Sequence, residues 1–294
     1  QKIYQGHDRK VTKDVVISTW QSIYKMPRKY FEQFGCVIGD EAHMFKAKSL
    51  TSIMTKLHQC KYRFGLTGTL DGSQTHQLVL EGLFGIVEKV VSTKELIDKK
   101  TLANLKIKCI VLKHPPIRER IDYAEEINYL VSNTSRNNFI LELCNTISGN
   151  TLCLFQLVEK HGKILYDGMK EKENVYFVYG GTDTDHREKI RGLVEGHTNS
   201  TTIASYGTFS TGINIRNINN IVLASPSKSK IRVLQSIGRG LRTSSTKDSI
   251  LVFDIADDIS YKERRNFTLN HFTERLNIYA EEQFNYEISK VKLK

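Results

Sequence analysis

Two adjacent carboxylates, Asp40 and Glu41, close the run Val37-Ile38-Gly39-Asp40-Glu41-Ala42-His43. Val37 and Ile38 read as the end of a buried strand. The pair would then stand at a strand's carboxyl edge, where open α/β sheets bind ligands. Asp40 offers the hard oxygens that Mg2+ takes, directly or through water. Glu41 can accept a proton from a water attacking a phosphoryl group. A bare Asp-Glu pair is as often incidental surface charge. Its place after an apolar run favours the chemical reading.

Two further runs have types and spacing suited to phosphate chemistry. Gly65-Leu66-Thr67-Gly68-Thr69 follows Tyr62-Arg63-Phe64 and reads as a second strand ending in a hydroxyl-rich turn. Alone it is a capped turn. Beside Asp40 and Glu41, its hydroxyls can bond the carboxylates and relay their state. Gln235-Ser236-Ile237-Gly238-Arg239-Gly240-Leu241-Arg242 places two arginines three apart, on one side of a helix or at its end. Guanidinium groups recognise phosphate oxygens bidentately and can stabilise a transferring phosphoryl group. A solvated helix face with exposed salt bridges would look the same in isolation.

The elements that must position these groups alternate along the chain. Strands are expected at Val15–Ser18, Cys36–Gly39, Arg63–Leu66, Lys106–Leu112, Leu152–Phe155, Val175–Val178, Thr202–Ala204, Asn220–Ala224 and Ile250–Asp254. Helical spacing lies between them, at Leu50–His58, Val158–Gly168, Asp185–Val194 and Ile231–Ile237. Short apolar strands separated by helices predict an α/β fold with parallel sheets covered on both faces. Pro115-Pro116 interrupts the alternation. The expected organisation is therefore one α/β domain over residues 1–114, a connection over 115–133, a second α/β domain over 134–258 and a helical tail over 259–294.

Composition bounds the partners. No apolar run approaches the ~20 residues of a membrane span, and no signal-peptide core follows Gln1-Lys2-Ile3. The formal net charge of +11 favours a polyanion. Five cysteines without a CxxC pair read as free thiols of a reducing cytoplasm. Cys36, Cys109 and Cys153 fall in apolar runs and are expected in the core, as is the single Trp20. His161, His186, His197 and His271 lack ligand spacing and are expected at the surface. Lys228, Lys230 and Arg232 suit a phosphate track or a solvated turn equally. Lys262, Arg264 and Arg265 form another basic cluster.

Taken in order, STWQSI (Ser18–Ile23), VIGDEAH, LTGT (Leu66–Thr69), SYGTFSTGINI (Ser205–Ile215) and QSIGRGLR (Gln235–Arg242) resemble motifs Ib, II, III, V and VI of the superfamily-two DExH helicases. VYGGTDTDHREKIR (Val178–Arg191) resembles the segment between motifs IV and V. The details are most similar to the recombination and repair helicases of T-even phages. The resemblance implies two RecA-like domains, the first incomplete here, with ATP and Mg2+ between them. It implies Asp40 and Glu41 as the Mg2+-binding and water-activating carboxylates. His43, Thr67, Gly68 and Thr69 would couple nucleotide state to nucleic acid. Gly212 and Asn214 would lie near the nucleotide. Gln235, Arg239 and Arg242 would meet the triphosphate. Ser18, Thr19, Gln21, Thr208, Ser210 and Thr211 would meet the nucleic-acid backbone. Asn214 stands where relatives often carry Asp; its amide can hydrogen-bond a ribose hydroxyl but cannot take metal charge.

The family's P-loop, GxxxxGK[ST], does not occur in the 294 residues. Gly6-His7-Asp8-Arg9-Lys10 is no substitute, since no strand precedes it and no hydroxyl follows Lys10. The expectation is a fragment or a split gene product, inactive alone, of a cytoplasmic ATP-dependent helicase acting on forks, junctions and R-loops. The alternatives are a non-catalytic nucleic-acid-binding module, and an RNA helicase or restriction-enzyme translocase subunit.

Overall fold

The computed structural model describes every residue except 5, 7, 71–72, 213–214, 227–228, 243–246 and 294, and leaves out the side chains of 210–212 and 230–231. It divides into two compact units, Gln1–Val90 and Val91–Lys294.

The first unit carries two short parallel strand pairs. β1 (Lys2–Ile3) pairs with β2 (Ile17–Ser18), and β3 (Cys36–Gly39) pairs with β4 (Tyr62–Gly65). Its helices are α1 (Trp20–Ile23), α2 (Arg28–Phe31), α3 (Lys48–Lys56) and α4 (Gln74–Phe84). The core lies between α3, α4 and one face of the β3–β4 pair, around Phe31, Phe45, Met54 and Leu80. Gly39 and Gly65 are register partners on that face. A Cβ on Gly39 would come within 2.8 Å of the Phe45 ring, and one on Gly65 within 2.9 Å of Phe84. The two rings meet edge to face, 5.0 Å apart, directly against the strand backbones. Successive strand residues point to opposite faces, and the other face is bare: Ile38 is 64% and Phe64 52% exposed. Cys36 shares that face and is exposed, which corrects its expected place in the core.

The second unit is a seven-stranded, wholly parallel sheet in the order β11-β5-β10-β9-β6-β8-β7. Its strands are β5 (Asn104–Lys113), β6 (Thr151–Phe155), β7 (Val175–Val178), β8 (Thr201–Ser205), β9 (Asn220–Leu223), β10 (Ser249–Asp258) and β11 (Tyr286–Lys292). Helices α5 (Thr93–Asp98), α6 (Tyr123–Ser132), α7 (Thr134–Thr146), α8 (Lys163–Asp167), α9 (Thr184–Gly196), α10 (Tyr206–Gly212), α11 (Lys230–Gly240) and α12 (Phe267–Glu281) complete it. Central strands β6, β8 and β9 are buried at every residue, as a parallel sheet with both faces covered requires. Alternate residues feed two cores, Leu152 and Leu154 on one face, Cys153 and Phe155 on the other. Side-chain caps fix the helix starts: a capping box of Asp122 and Glu125 opens α6, and Asp183 accepts from the His186 N–H to open α9.

Two expectations are corrected. The boundary falls at Val90–Val91, not at residue 114, because β5 pairs along its whole length with β10. Pro115-Pro116 lacks the N–H groups that continue a ladder, so it ends that strand and not the domain. The tail is also more than helical. After α12 the chain adds β11 alongside β5, from Tyr286↔Ile107 to Lys292↔Lys113. A buried bidentate ion pair, Arg275 to Asp254 at 2.8 Å, and a bond from the Tyr279 hydroxyl to Asp254 fasten α12 to β10.

Candidate functional site

Asp40 and Glu41 follow β3 at its carboxyl edge, and both are exposed. The Glu41 N–H donates to Asp40 Oδ1 at 2.9 Å. Glu41 itself adopts φ 50° and ψ 50°, the left-handed region that costs a side-chain-bearing residue roughly 1 kcal/mol or more. The turn is held by the next layer: Ala42 N–H donates to the Leu66 carbonyl and Leu66 N–H to the Gly39 carbonyl, both at 2.8 Å. The kink therefore aims the Glu41 side chain away from the strand direction while the backbone stays tied to the loop after β4.

His43 joins the two loops. It is buried in the 3-10 turn Ala42–Lys46. Its Nδ1 lies 3.0 Å from Thr67 Oγ1 and 3.3 Å from Glu41 Oε2. Thr67 Oγ1 in turn donates to the Thr69 carbonyl at 2.9 Å. Gly68 is exposed at the tip, with open space where a Cβ would be. Asp40, Glu41, His43, Thr67 and Thr69 thus lie close together, with His43 hydrogen-bonded to Thr67 and 3.3 Å from the Glu41 carboxylate. Among the described residues no group of three or more His, Cys, Asp or Glu could cage a metal. An exposed carboxylate such as Asp40 fits Mg2+, which keeps most of its water and takes one or two carboxylates beside a substrate's phosphates.

The second unit carries the other motifs on neighbouring helices. α11 begins at Ser229, whose hydroxyl caps the Arg232 N–H. Gln235 and Arg239 are half-buried on this helix, and Arg242 is exposed just beyond it. The Arg239 guanidinium stands 5.8 Å from the Phe209 ring on α10. Gly240 packs against Ile250 and Ile221 of the sheet, whereas a Cβ on Gly238 would meet nothing. Close helix–sheet approach thus explains Gly240. Thr208 is buried, its hydroxyl 2.8 Å from Ser205 Oγ, so it fastens the start of α10 and does not face solvent. Gly212 ends α10. Asn214 and Lys228 lie outside the described residues, as do the side chains of Ser210, Thr211 and Lys230.

In the first unit Thr19 and Gln21 are exposed, while Ser18 is half-buried and donates to the Ile3 carbonyl. Trp20 is 37% exposed and meets Tyr24 edge to face, which corrects its expected core position. Arg264 does not offer a free charge: it donates to the carbonyls of Ile117, Arg118 and Glu119.

Several residues outside the motifs tie elements of the second unit together. Arg232 donates to Gln156 Oε1 at 3.1 Å and lies over the Tyr206 ring. The Tyr206 hydroxyl donates to the Ser225 carbonyl. His161 is fully buried, not at the surface as expected. Its Nδ1 meets Ser225 Oγ at 2.9 Å, and Arg136 approaches its Nε2 at 3.5 Å. Arginine can only donate, which makes Nε2 the acceptor and leaves Nδ1–H for the serine. Burial first, and then Arg136, pull His161 down to about 3, so it is neutral. Arg136 also bonds Asp257 and the Ala224 carbonyl, and His114 bonds Asp257. Burial alone would raise Asp257, but Arg136 and His114 outweigh it and hold the carboxyl below its usual range. At the far end of α11, buried Lys247 donates to the carbonyls of Gly240 and Arg242. Burial pulls it down to about 8.

Two family signatures match the chain. Residues 1–72 match the res subunit of type III restriction enzymes, and residues 122–244 the helicase conserved C-terminal domain. The chain is 36% identical to the ATP-dependent DNA helicase UvsW of enterobacteria phage T4, over 95% of its own length. The chain is thus similar to superfamily two of the helicases. It spans 59% of the phage protein's length. The crystal structure of T4 UvsW superposes on this chain with a TM-score of 0.57, covering 95% of this chain and 58% of that one. Two more distant structures share the fold alone. The type ISP restriction-modification enzyme LlaBIII bound to DNA gives 0.66 at 14% identity, covering 95% of this chain and 23% of that one. Dbp5 of S. cerevisiae bound to RNA and ADP BeF3 gives 0.58 at 14%, covering 99% and 70%. These neighbours agree with the RecA-like reading of the parallel sheet. Among the described residues no helix is long and apolar enough to cross a membrane.

Proposed function

We propose that the protein is an ATP-dependent DNA helicase or translocase that remodels branched DNA: forks, junctions and R-loops with their RNA–DNA hybrids. The observation that carries this reading is the contact chain at the carboxyl edge of β3 and β4, in which His43 bonds Thr67 and stands 3.3 Å from the Glu41 carboxylate. It joins a candidate base to a hydroxyl loop that can sense it. Glu41 would accept the proton of the attacking water, and Asp40 would hold Mg2+, which would neutralise phosphate charge. Gln235, Arg239 and Arg242 meet the triphosphate. Thr67, Gly68 and Thr69 pass its state to the strand-binding residues Ser18, Thr19, Gln21, Ser210 and Thr211. The name of the phage relative and the net charge of +11 support DNA as the track. Phosphate-directed groups carry no sequence information, so the protein discriminates by shape.

The bare face of β3–β4, with Ile38, Tyr62, Phe64 and Leu66, is a surface that further strands of a nucleotide-binding sheet would cover. The absence of GxxxxGK[ST] from these residues favours a second reading of the chain by itself, as a nucleic-acid binder without turnover. Fluorescence anisotropy with fork, single strand and duplex across a salt series tests the nucleic-acid part of both. Affinity should be highest for the fork and fall steeply with salt, as counterion release dictates. Binding that ignores salt, or none at low salt, would overturn it.

A further inference from the structure

The second unit changes direction between β6 and β9. From β6 the chain goes on to β7 and β8 on one side, then crosses to β9 and β10 on the other. Such a switch point leaves a crevice outside the strands' carboxyl ends, where open α/β sheets take ligands. A cavity of about 380 Å3 lies there. Gln156 and Leu157 enter it from β6, Ser225 and Pro226 from β9. Its outer wall is one side of α6, with Tyr123, Ile127 and Val131 four residues apart. None of the sequence motifs accounts for it.

The cavity is built, not incidental. Its Ser225 floor accepts from the Gln156 N–H and is fixed by His161, Arg136 and Asp257, all buried. The capping box of Asp122 and Glu125 sets α6 at its start. Tyr123 is 43% exposed at the mouth. Arg232 and Lys160 engage the amide oxygens of Gln156 and Asn128, which leaves both amide NH2 groups as donors.

We propose that this cavity receives an unstacked nucleobase of a bound single strand. It rests on the nucleic-acid reading above. A nucleobase is flat, neutral and apolar on its faces, with acceptors at its edge. The cavity answers with an aromatic ring, aliphatic walls and two amide donors. The phosphates on either side of the base suit two cations, Lys160 of the cavity lining and Arg232, which bonds the lining residue Gln156. A nucleoside triphosphate fits poorly, since no glycine loop lines the cavity to cradle its phosphates. Stacking on a tyrosine accepts any base.

The test is anisotropy of the chain with an oligothymidylate and with the same oligomer made abasic, each across a salt series. Wild type should bind the intact strand roughly 5- to 100-fold tighter, the range for base–aromatic stacking. Ala124→Trp, which fills the cavity, should bind both strands as wild type binds the abasic one. Tyr123→Phe keeps the ring and should behave as wild type. The salt slopes should agree throughout, since the phosphate contacts are unchanged. Equal binding of both strands by wild type, or a preference that survives Ala124→Trp, overturns the proposal and leaves the nucleic-acid reading standing. No binding of either strand at low salt overturns both.

Discussion

His43 Nδ1 lies 3.0 Å from Thr67 Oγ1, and this contact spans the loops that follow two adjacent parallel strands. Because His43 is also 3.3 Å from the Glu41 carboxylate, a change at Glu41 reaches Thr67 through one imidazole.

Breaking that contact should uncouple turnover from nucleic acid. In the full-length protein, Thr67→Val or His43→Ala should lower DNA-stimulated ATP hydrolysis roughly fivefold, since one hydrogen bond is worth about 1 kcal/mol. DNA affinity should stay within a few-fold. Steady-state hydrolysis with and without DNA decides it, and full stimulation in both variants would show that the contact is only structural.

His161 should make the second unit acid-sensitive. Its folded value is about 3, against an ordinary value near 6.5. Between those values the unfolded chain binds a proton that the folded chain refuses. The stability it contributes is complete above about 6.5 and declines as pH falls toward 3, by at most ~1.4 kcal/mol per pH unit. Urea unfolding between about pH 7 and 4.5 should show this slope, and His161→Gln should flatten it. An unchanged slope would mean that other groups set it.

Much of this architecture is legible in the sequence, for local reasons. Cys36–Gly39 and Val175–Val178 fall on the expected residues because each is a short apolar run with an abrupt polar or glycine end. The carboxylates and the arginines stand at element ends for the same reason. What escapes is set by partners distant in sequence. Tyr286–Lys292 is an exposed edge strand carrying Glu287, Lys290 and Lys292, and only its pairing with β5 makes it a strand. Its Glu287 lies across from Lys106 and Lys108, a pairing no local pattern announces. His161 carries no ligand spacing because its partners, Arg136 and Ser225, come from a helix and a strand end far along the chain. Cys36 sits in an apolar run, yet its face of the sheet is bare.

Lys247 should prove a positioning residue for the arginine-bearing turn. It holds the carbonyls of Gly240 and Arg242 at the carboxyl end of α11. In the full-length protein Lys247→Met should lower kcat for ATP roughly tenfold through misplacement of Arg242. DNA affinity should be retained within a few-fold. A variant with parental kcat and lower unfolding stability would confine Lys247 to a structural part.

The most direct test of the account is ATP turnover by the full-length protein with forked DNA, for Glu41→Gln, Arg239→Ala and Arg242→Ala. An arginine that stabilises the transferring phosphoryl group supplies roughly a thousandfold or more in rate, whereas a solvated ion-pair arginine supplies almost none. Each variant should therefore lose turnover by that order while its fork affinity stays within a few-fold of the parent. Arginine-to-lysine changes should fail nearly as badly, since lysine keeps the charge and lacks the planar fork. Turnover within a few-fold of the parent in both alanine variants would contradict the assignment of these residues and the motor mechanism built on them.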